Sequence, residues 1–136
     1  MKNKFTFIDL FAGNGGFHLA MESLGGKCVF TSEIDEYARQ TYEHNFKKIN
    51  PELFEQGLFN DDIRKVSPQD LPDFDLLCAG FPCQPFSQAG YKRGFNDTHK
   101  SERGNLFFNI VDILEAKRPK AFLLENVRGI VNHDNC

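Results

Sequence analysis

The chain of 136 residues has no tryptophan, only two methionines and no Cys-x-x-Cys pair. Its four cysteines, Cys28, Cys78, Cys83 and Cys136, have no paired histidines nearby, so no metal site is expected. No apolar run is long enough for a signal peptide or a membrane span, and the amino-terminal MKNKFTFIDLFAG breaks off early. The cytoplasm is therefore the expected compartment, with the thiols reduced. A basic excess is also missing: 16 Lys and Arg stand against 19 Asp and Glu, a formal charge of −3. This excludes a surface basic all over, so any contact with nucleic acid has to be a local patch or come from another segment. Repeats, low-complexity tracts and linkers are absent too, and the length suits one domain.

What the chain does have is alternation. KFTFIDLFAG reads as a short apolar strand ending in glycine. A helix follows, with Phe17, Ala20, Met21 and Leu24 at helical spacing until Gly25-Gly26 stops it. KCVFTSEID reads as a second strand ending near Glu33, and DEYARQTYEHNF as a helix with Ala38, Tyr42 and Phe46 on one stripe. A loop with Pro51 and Gly57 leads to a short strand around Leu58 to Asp62. SPQDLP is at most a helical turn, and FDLLCAG is a fourth strand. Phe81 to Arg103 reads as a long loop. GNLFFNIVDILEAKRP reads as a helix with Leu106, Phe107, Ile110, Val111 and Leu114 on one face. Lys117 and Arg118 suit the negative end of its dipole, and Pro119 ends it. KAFLLEN is a fifth strand.

Strands alternating with helices imply crossovers and a parallel sheet, and the continuous apolar runs DLLCAG and AFLL fit burial on both faces. Ligands of such α/β sheets sit beyond the carboxyl ends of the strands. There the chain collects Asp9 with Gly13, Glu33, Asp62, Cys83 and Glu125.

FAGNGG joins the first strand to the first helix, where glycines permit positive φ and close approach of a ligand. Glu33 follows Gly13 by 20 residues, the distance at which an acidic residue reaches ribose hydroxyls. His18 stands where the third glycine of a dinucleotide fingerprint belongs, which weakens a nicotinamide reading. The plain alternative is a tight turn and a surface glutamate. Cys83 lies between Pro82 and Pro85, a stiff stretch that suits an aimed thiol, whereas Cys78 reads as a buried small hydrophobe. Glu125 directly follows apolar residues, so partial desolvation and a raised pKa are expected; a capping carboxylate at a turn is the alternative. Lys92, Arg93, Lys100 and Arg103 read as a solvated charge run or as a lid over phosphates. The four histidines read as surface or structural.

Taken together these segments resemble the amino-terminal half of a DNA (cytosine-5) methyltransferase. FIDLFAGNGGF is similar to the family's first motif, which holds S-adenosylmethionine; SEID resembles the second and DDI the third. GFPCQPFS resembles the catalytic Pro-Cys motif, RGNLFF the opening of the next helix, and ENVRG the Glu-Asn-Val motif. The resemblance implies a Rossmann-like methyltransferase fold with a mostly parallel sheet, incomplete at its carboxyl-terminal end. It implies that S-adenosylmethionine is held by Phe11, Ala12, Gly13, Gly15, Gly16 and Phe17, by Glu33 on the ribose and Ile34 on the purine, and by Asp62 at the adenine amino group. Ile63, Gly80 and Leu106 complete that set, and S-adenosylhomocysteine is the product. Cys83 is implied as the nucleophile, oriented by Pro82, with Glu125 on the cytosine ring and Asn126 beside it. Gln84, Ser87, Lys92, Arg93 and Arg103 are implied as DNA contacts, on double-stranded DNA with a flipped cytosine. A restriction-modification setting follows by the same association.

Residues 1–136 are thus expected to form the amino-terminal part of a catalytic, cofactor-binding domain without a target-recognition domain. A fragment, one subunit of a split enzyme or a truncated gene product is expected, short of the motifs that complete the enzyme and pairing with a second chain or with itself. A tRNA cytosine-5 methyltransferase and a non-catalytic cofactor-binding subunit are the alternatives.

Overall fold

In a computed structural model, residues 2–81 and 106–126 are described. The strands are β1 (Phe5–Leu10), β2 (Gly26–Ser32), β3 (Phe59–Asn60), β4 (Leu76–Ala79) and β5 (Ala121–Leu124); the helices are α1 (Gly16–Ser23), α2 (Glu36–Phe46), α3 (Glu52–Glu55) and α4 (Leu106–Lys117). All pairings are parallel, in the order β3-β2-β1-β4-β5. β1 is central, and its apolar side chains Phe7, Ile8 and Leu10 are fully buried. Each such side chain contributes about 1.5–3 kcal/mol. The order reverses between β1 and β4, and in doubly wound sheets the crevice beyond that switch point receives the ligand.

The helices depart from the sequence reading in phase. In α1, Ala20 is exposed and Leu24 is 61% exposed, lying just past the helix end; the buried residue is His18. In α4, Ile113 rather than Val111 completes the inner face with Ile110, while Leu106, Phe107 and Leu114 pack alongside. Those residues recur at i, i+1, i+4, i+7 and i+8 from Leu106, the spacing of one helical face. The loop after α2 contains α3, and a 3-10 turn, Ile63–Lys65, follows a β3 of only two residues. A second 3-10 turn at Pro68–Asp70 matches the expected turn. Lys117 does more than face the helix dipole: its Nζ donates to Leu71 O at 2.8 Å and pairs with Asp73 at 2.9 Å. β5 is a sheet edge among the described residues, with Phe122 59% and Leu123 43% exposed. Burial on both faces thus holds for β4 and fails for β5.

Between α1, α2 and the sheet lies a buried aromatic seat. His18 stacks on Phe46 with ring centroids 3.9 Å apart and meets Phe7 edge-on at 5.6 Å. The Tyr42 hydroxyl meets His18 Nδ1, and Nε2 lies 3.5 Å from Glu22 Oε2. Burial lowers the His18 pKa to about 4, so the ring is neutral at pH 7. The same burial pushes the Cys28 and Tyr42 groups upward and Cys78 up to about 12, which makes both cysteines inert hydrophobes.

His18 carries a pH signature. Its folded pKa lies below the unfolded value of 6.5, so its share of stability is whole above pH 6.5 and is lost as pH falls toward about 4. The urea midpoint of the chain is expected to drop through that window, by roughly 2–4 kcal/mol in free energy. A His18→Phe chain is expected to lose that part of the slope; an unchanged slope contradicts the assignment.

Candidate functional site

The site begins at the exit of β1. Phe11 has φ 54°, Gly13 57° and Gly15 95°. Holding Phe11 left-handed costs about 1–2 kcal/mol, strain of the sort kept at ligand loops. Ala12 N donates to Ser32 O and Gly15 N to Ala12 O, both at 3.0 Å, so the loop folds tightly onto the end of β2. At Gly15 only glycine fits, since an added Cβ would lie 2.1 Å from Phe46 Cε2. The aromatic seat therefore supports the loop from below. From above the loop is open: a Cβ at Gly13 or Gly16 would meet nothing within 4 Å. Backbone amides in such a loop are accessible to a polar ligand.

Glu33 stands one residue beyond β2. Its Oε2 accepts from Gly13 N at 2.7 Å and its Oε1 from Asp35 N at 2.9 Å. Each oxygen keeps a further lone pair, enough for a pair of hydroxyls. Asp35 also caps α2 by accepting from Ala38 N at 2.8 Å. The Arg39 guanidinium donates to Glu33 O at 2.9 Å and Asn60 O at 2.8 Å, and lies 4.2 Å above the Phe59 ring. It fixes the ends of β2 and β3 to each other. Sequence reasoning missed this residue; an arginine on the fourth position of a helix after an acidic strand end was the available signal.

Asp62 follows β3 and is nearly buried. Both its oxygens are held by Arg64, at 2.9 Å from Nε and 2.8 Å from Nη2, and Arg64 keeps its carboxyl below the usual range. Ile63 is 5% exposed and belongs to the main core, as does the half-buried Leu106. Ile34, by contrast, is 64% exposed beside Glu33 and offers an apolar surface to a ligand.

The ends of β4 and β5 form the other wall. A Cβ on Gly80 would sit 3.6 Å from Glu125 Oε2 and 3.7 Å from the Phe17 ring, so these three residues converge. Glu125 N donates to Ala79 O at 2.9 Å, and Asn126 Nδ2 donates to Phe81 O at 3.2 Å. Glu125 is exposed, which corrects the expected desolvation; it follows an edge strand whose side chains are themselves exposed. Pro82, Cys83, Gln84, Ser87, Lys92, Arg93 and Arg103 lie outside the described residues.

Beneath the loop sits Asp9, fully buried, with both carboxyl oxygens lacking a hydrogen-bond partner among the described residues. Burial raises its pKa well above the ordinary range; the His18 amide opposes that without completing a hydrogen bond, and Glu33 adds to it. The open space over Gly13 and Gly16, a free pair of acceptor sites on Glu33, the exposed Ile34 and the space between Phe17, Gly80 and Glu125 fit a nucleoside with a polar tail. Among the described residues no group of three His, Cys, Asp or Glu gathers as a metal set.

The family model described as C-5 cytosine-specific DNA methylase matches residues 5–136. The chain is 51% identical over 135 residues to the type II methyltransferase M.HpaII of Haemophilus parainfluenzae, covering 98% of this chain and 34% of that protein. It is 54% identical over 132 residues to M.HaeII of Haemophilus aegyptius, covering 97% and 37%. To M.HhaI of Haemophilus parahaemolyticus it is 49% identical over 129 residues, covering 95% and 36%. The chain thus spans about a third of the length of these relatives. Among solved structures, the Dnmt2 methyltransferase of S. pombe superposes with a TM-score of 0.69 at 24% identity, over 97% of this chain and 39% of that one, which bears on the fold alone. A prophage-encoded DNA modification methyltransferase from E. coli superposes at 0.69 with 26% identity, over 95% and 34%.

Two glycines separate support from opening. Gly15→Ala is expected to cost more than about 3 kcal/mol, from the Phe46 clash and the positive φ together. Gly80→Ala, with only ordinary contacts to meet, is expected to stay within about 1 kcal/mol of the unaltered chain. Urea melts of both decide it; equal losses contradict this geometry.

Proposed function

Because the chain belongs to the C-5 cytosine-specific DNA methylase family, we propose that it is the amino-terminal catalytic and cofactor-binding part of a DNA (cytosine-5) methyltransferase acting in a restriction-modification system. The observation that carries this is the crevice at the β1/β4 switch. The Gly13 loop with Glu33 forms one wall, Phe17, Gly80 and Glu125 form the other, and Cys83 follows three residues after Gly80 in the chain.

In this reading the Gly13–Phe17 loop, with Phe11 and Ala12, binds S-adenosylmethionine. Glu33 takes the ribose hydroxyls, Ile34 and Phe17 flank the purine, and Asp62 accepts from its amino group. Ile63 backs Asp62 from the core, and Gly80 and Leu106 bound the pocket toward β4. When bound, the cofactor supplies an electrophilic sulfonium methyl.

This chain's residues prepare the other reactant. The Cys83 thiolate adds to carbon 6 of a flipped cytosine, forming a carbon–sulfur bond and pushing the ring electrons to carbon 5. Glu125, sharing a proton with ring nitrogen 3, offsets the charge that develops there. Its exposure at the rim suits a group that meets a substrate entering from outside. Asn126 holds the Phe81 carbonyl and so steadies the chain entering Pro82 and Cys83. Once carbon 5 carries its methyl group, loss of the carbon 5 proton returns electrons to the ring and expels the sulfur. Gln84, Ser87, Lys92, Arg93 and Arg103 contact the DNA.

The relatives near 50% identity are named type II methyltransferases, which favours DNA over tRNA as substrate. The reading places the activity in the cytoplasm and assigns sequence recognition to a region outside this chain or on a second chain.

The test is mechanism-based trapping. The chain, with and without the carboxyl-terminal part of a relative supplied in trans, is mixed with S-adenosylmethionine and DNA carrying 5-fluorocytosine. A covalent adduct is expected, and Cys83→Ser is expected to abolish it. An adduct that persists in Cys83→Ser refutes the nucleophile.

A further inference from the structure

We propose that Arg64 is the positioning residue that makes the cofactor site selective for a 6-aminopurine, acting through Asp62. The inference rests on the reading of Asp62 as the acceptor for that amino group and adds the element that makes the acceptor discriminate.

The geometry is a fork closed on one side chain. Arg64 Nε donates to Asp62 Oδ1 at 2.9 Å and Nη2 donates to Oδ2 at 2.8 Å, while the Arg64 backbone N–H donates to Oδ1 at 3.0 Å. A carboxylate offers about four lone-pair sites. Three are occupied here, both of those on Oδ1 and one on Oδ2, so the site that remains lies on Oδ2. The Asp62 side chain is only 11% exposed and that of Arg64 39%, so the carboxylate is held largely out of water by a more exposed guanidinium.

An unrestrained carboxylate rotates broadly about its last torsion and accepts from many directions. The fork removes that freedom. It also keeps Asp62 ionised, as its lowered pKa shows, so this group cannot donate a hydrogen bond to an incoming acceptor. A 6-amino group brings a donor to the remaining lone pair. A 6-keto group brings an acceptor against it and leaves that buried lone pair unsatisfied, which is the arrangement that gives strong rejection of an analogue. Selectivity then requires that Asp62 be unable to turn away or to take a proton, and both conditions come from Arg64. Asp62 also caps the 3-10 turn Ile63–Lys65 through the Arg64 backbone N–H, a bond that survives replacement of the arginine side chain.

The test is titration calorimetry of the full chain with S-adenosylhomocysteine and S-inosylhomocysteine, which differ at purine position 6. The quantity read is the ratio of their dissociation constants, which a loss of folded protein does not move. Arg64→Ala is expected to lower the ratio at least about fivefold. Arg64→Lys is expected to recover affinity for S-adenosylhomocysteine without recovering the ratio, because an ammonium restores charge but not the planar fork. Asp62→Asn, whose amide can turn a donor toward a keto group, is expected to abolish the preference. If Asp62→Asn abolishes it and Arg64→Ala leaves it intact, the role of Arg64 is overturned while that of Asp62 stands. If Asp62→Asn leaves it intact, the reading of Asp62 falls and the inference with it. Failure of the unaltered chain to bind either compound overturns the cofactor site itself.

Discussion

The bond from the Gly13 amide to the Glu33 carboxylate, 2.7 Å long, is the constraint on which the site depends. A charge-assisted bond of this kind contributes about 1.5–3 kcal/mol. It closes the loop after β1 against the end of β2 and leaves lone pairs on the same carboxylate facing outward. Arg39 extends the tie to β3, and the aromatic seat of His18, Tyr42 and Phe46 carries the loop from beneath. The loop is thereby held in a left-handed, strained course before any ligand arrives. Preorganisation of that sort lowers the cost of binding.

The support has a cost of its own. Asp9 and His18 are titratable groups with almost no exposure, and burial forces both toward their neutral forms. An all-apolar packing at these positions would remove that desolvation cost. His18 uses Nδ1 and a ring face at once, joining α1 to α2 where a larger aliphatic side chain would only fill space. Asp9 is fully buried with no hydrogen-bond partner for its carboxyl among the described residues. These two buried polar groups stand beside the loop that must keep one shape, while the cluster packed against α4 is built from apolar side chains.

The sheet places its two walls differently. On the β2 and β3 side the acidic residues are locked by arginines and backbone amides, so that wall is rigid. On the β4 and β5 side Glu125 stands exposed at the end of an edge strand, anchored through backbone bonds to Ala79 and through Asn126 to Phe81. A rigid wall suits a cofactor that must be positioned, and an open wall suits a base that must enter from a duplex.

The alternation of apolar strands with helical stripes was legible in the sequence, because strand and helix periods are local properties of neighbouring residues. So was the gathering of Gly13, Glu33, Asp62 and Glu125 on one rim, since parallel connections carry every strand end to the same side. Helix phase was less legible: Ala20 and Leu24 fit the apolar spacing of α1, yet the inner face belongs to His18, because Phe46 from a distant helix offers it a stacking partner. The exposure of Glu125 was hidden for the same reason, as an apolar run reads alike in a central strand and at an edge. What the chain determined by itself was the element order, the glycine turn and the set of reactive residue types, all of which depend on near neighbours. Only the tertiary structure decided which side chains share a lone pair, which arginine faces which acid and which strand lies at the edge, because those depend on contacts between residues far apart in the chain.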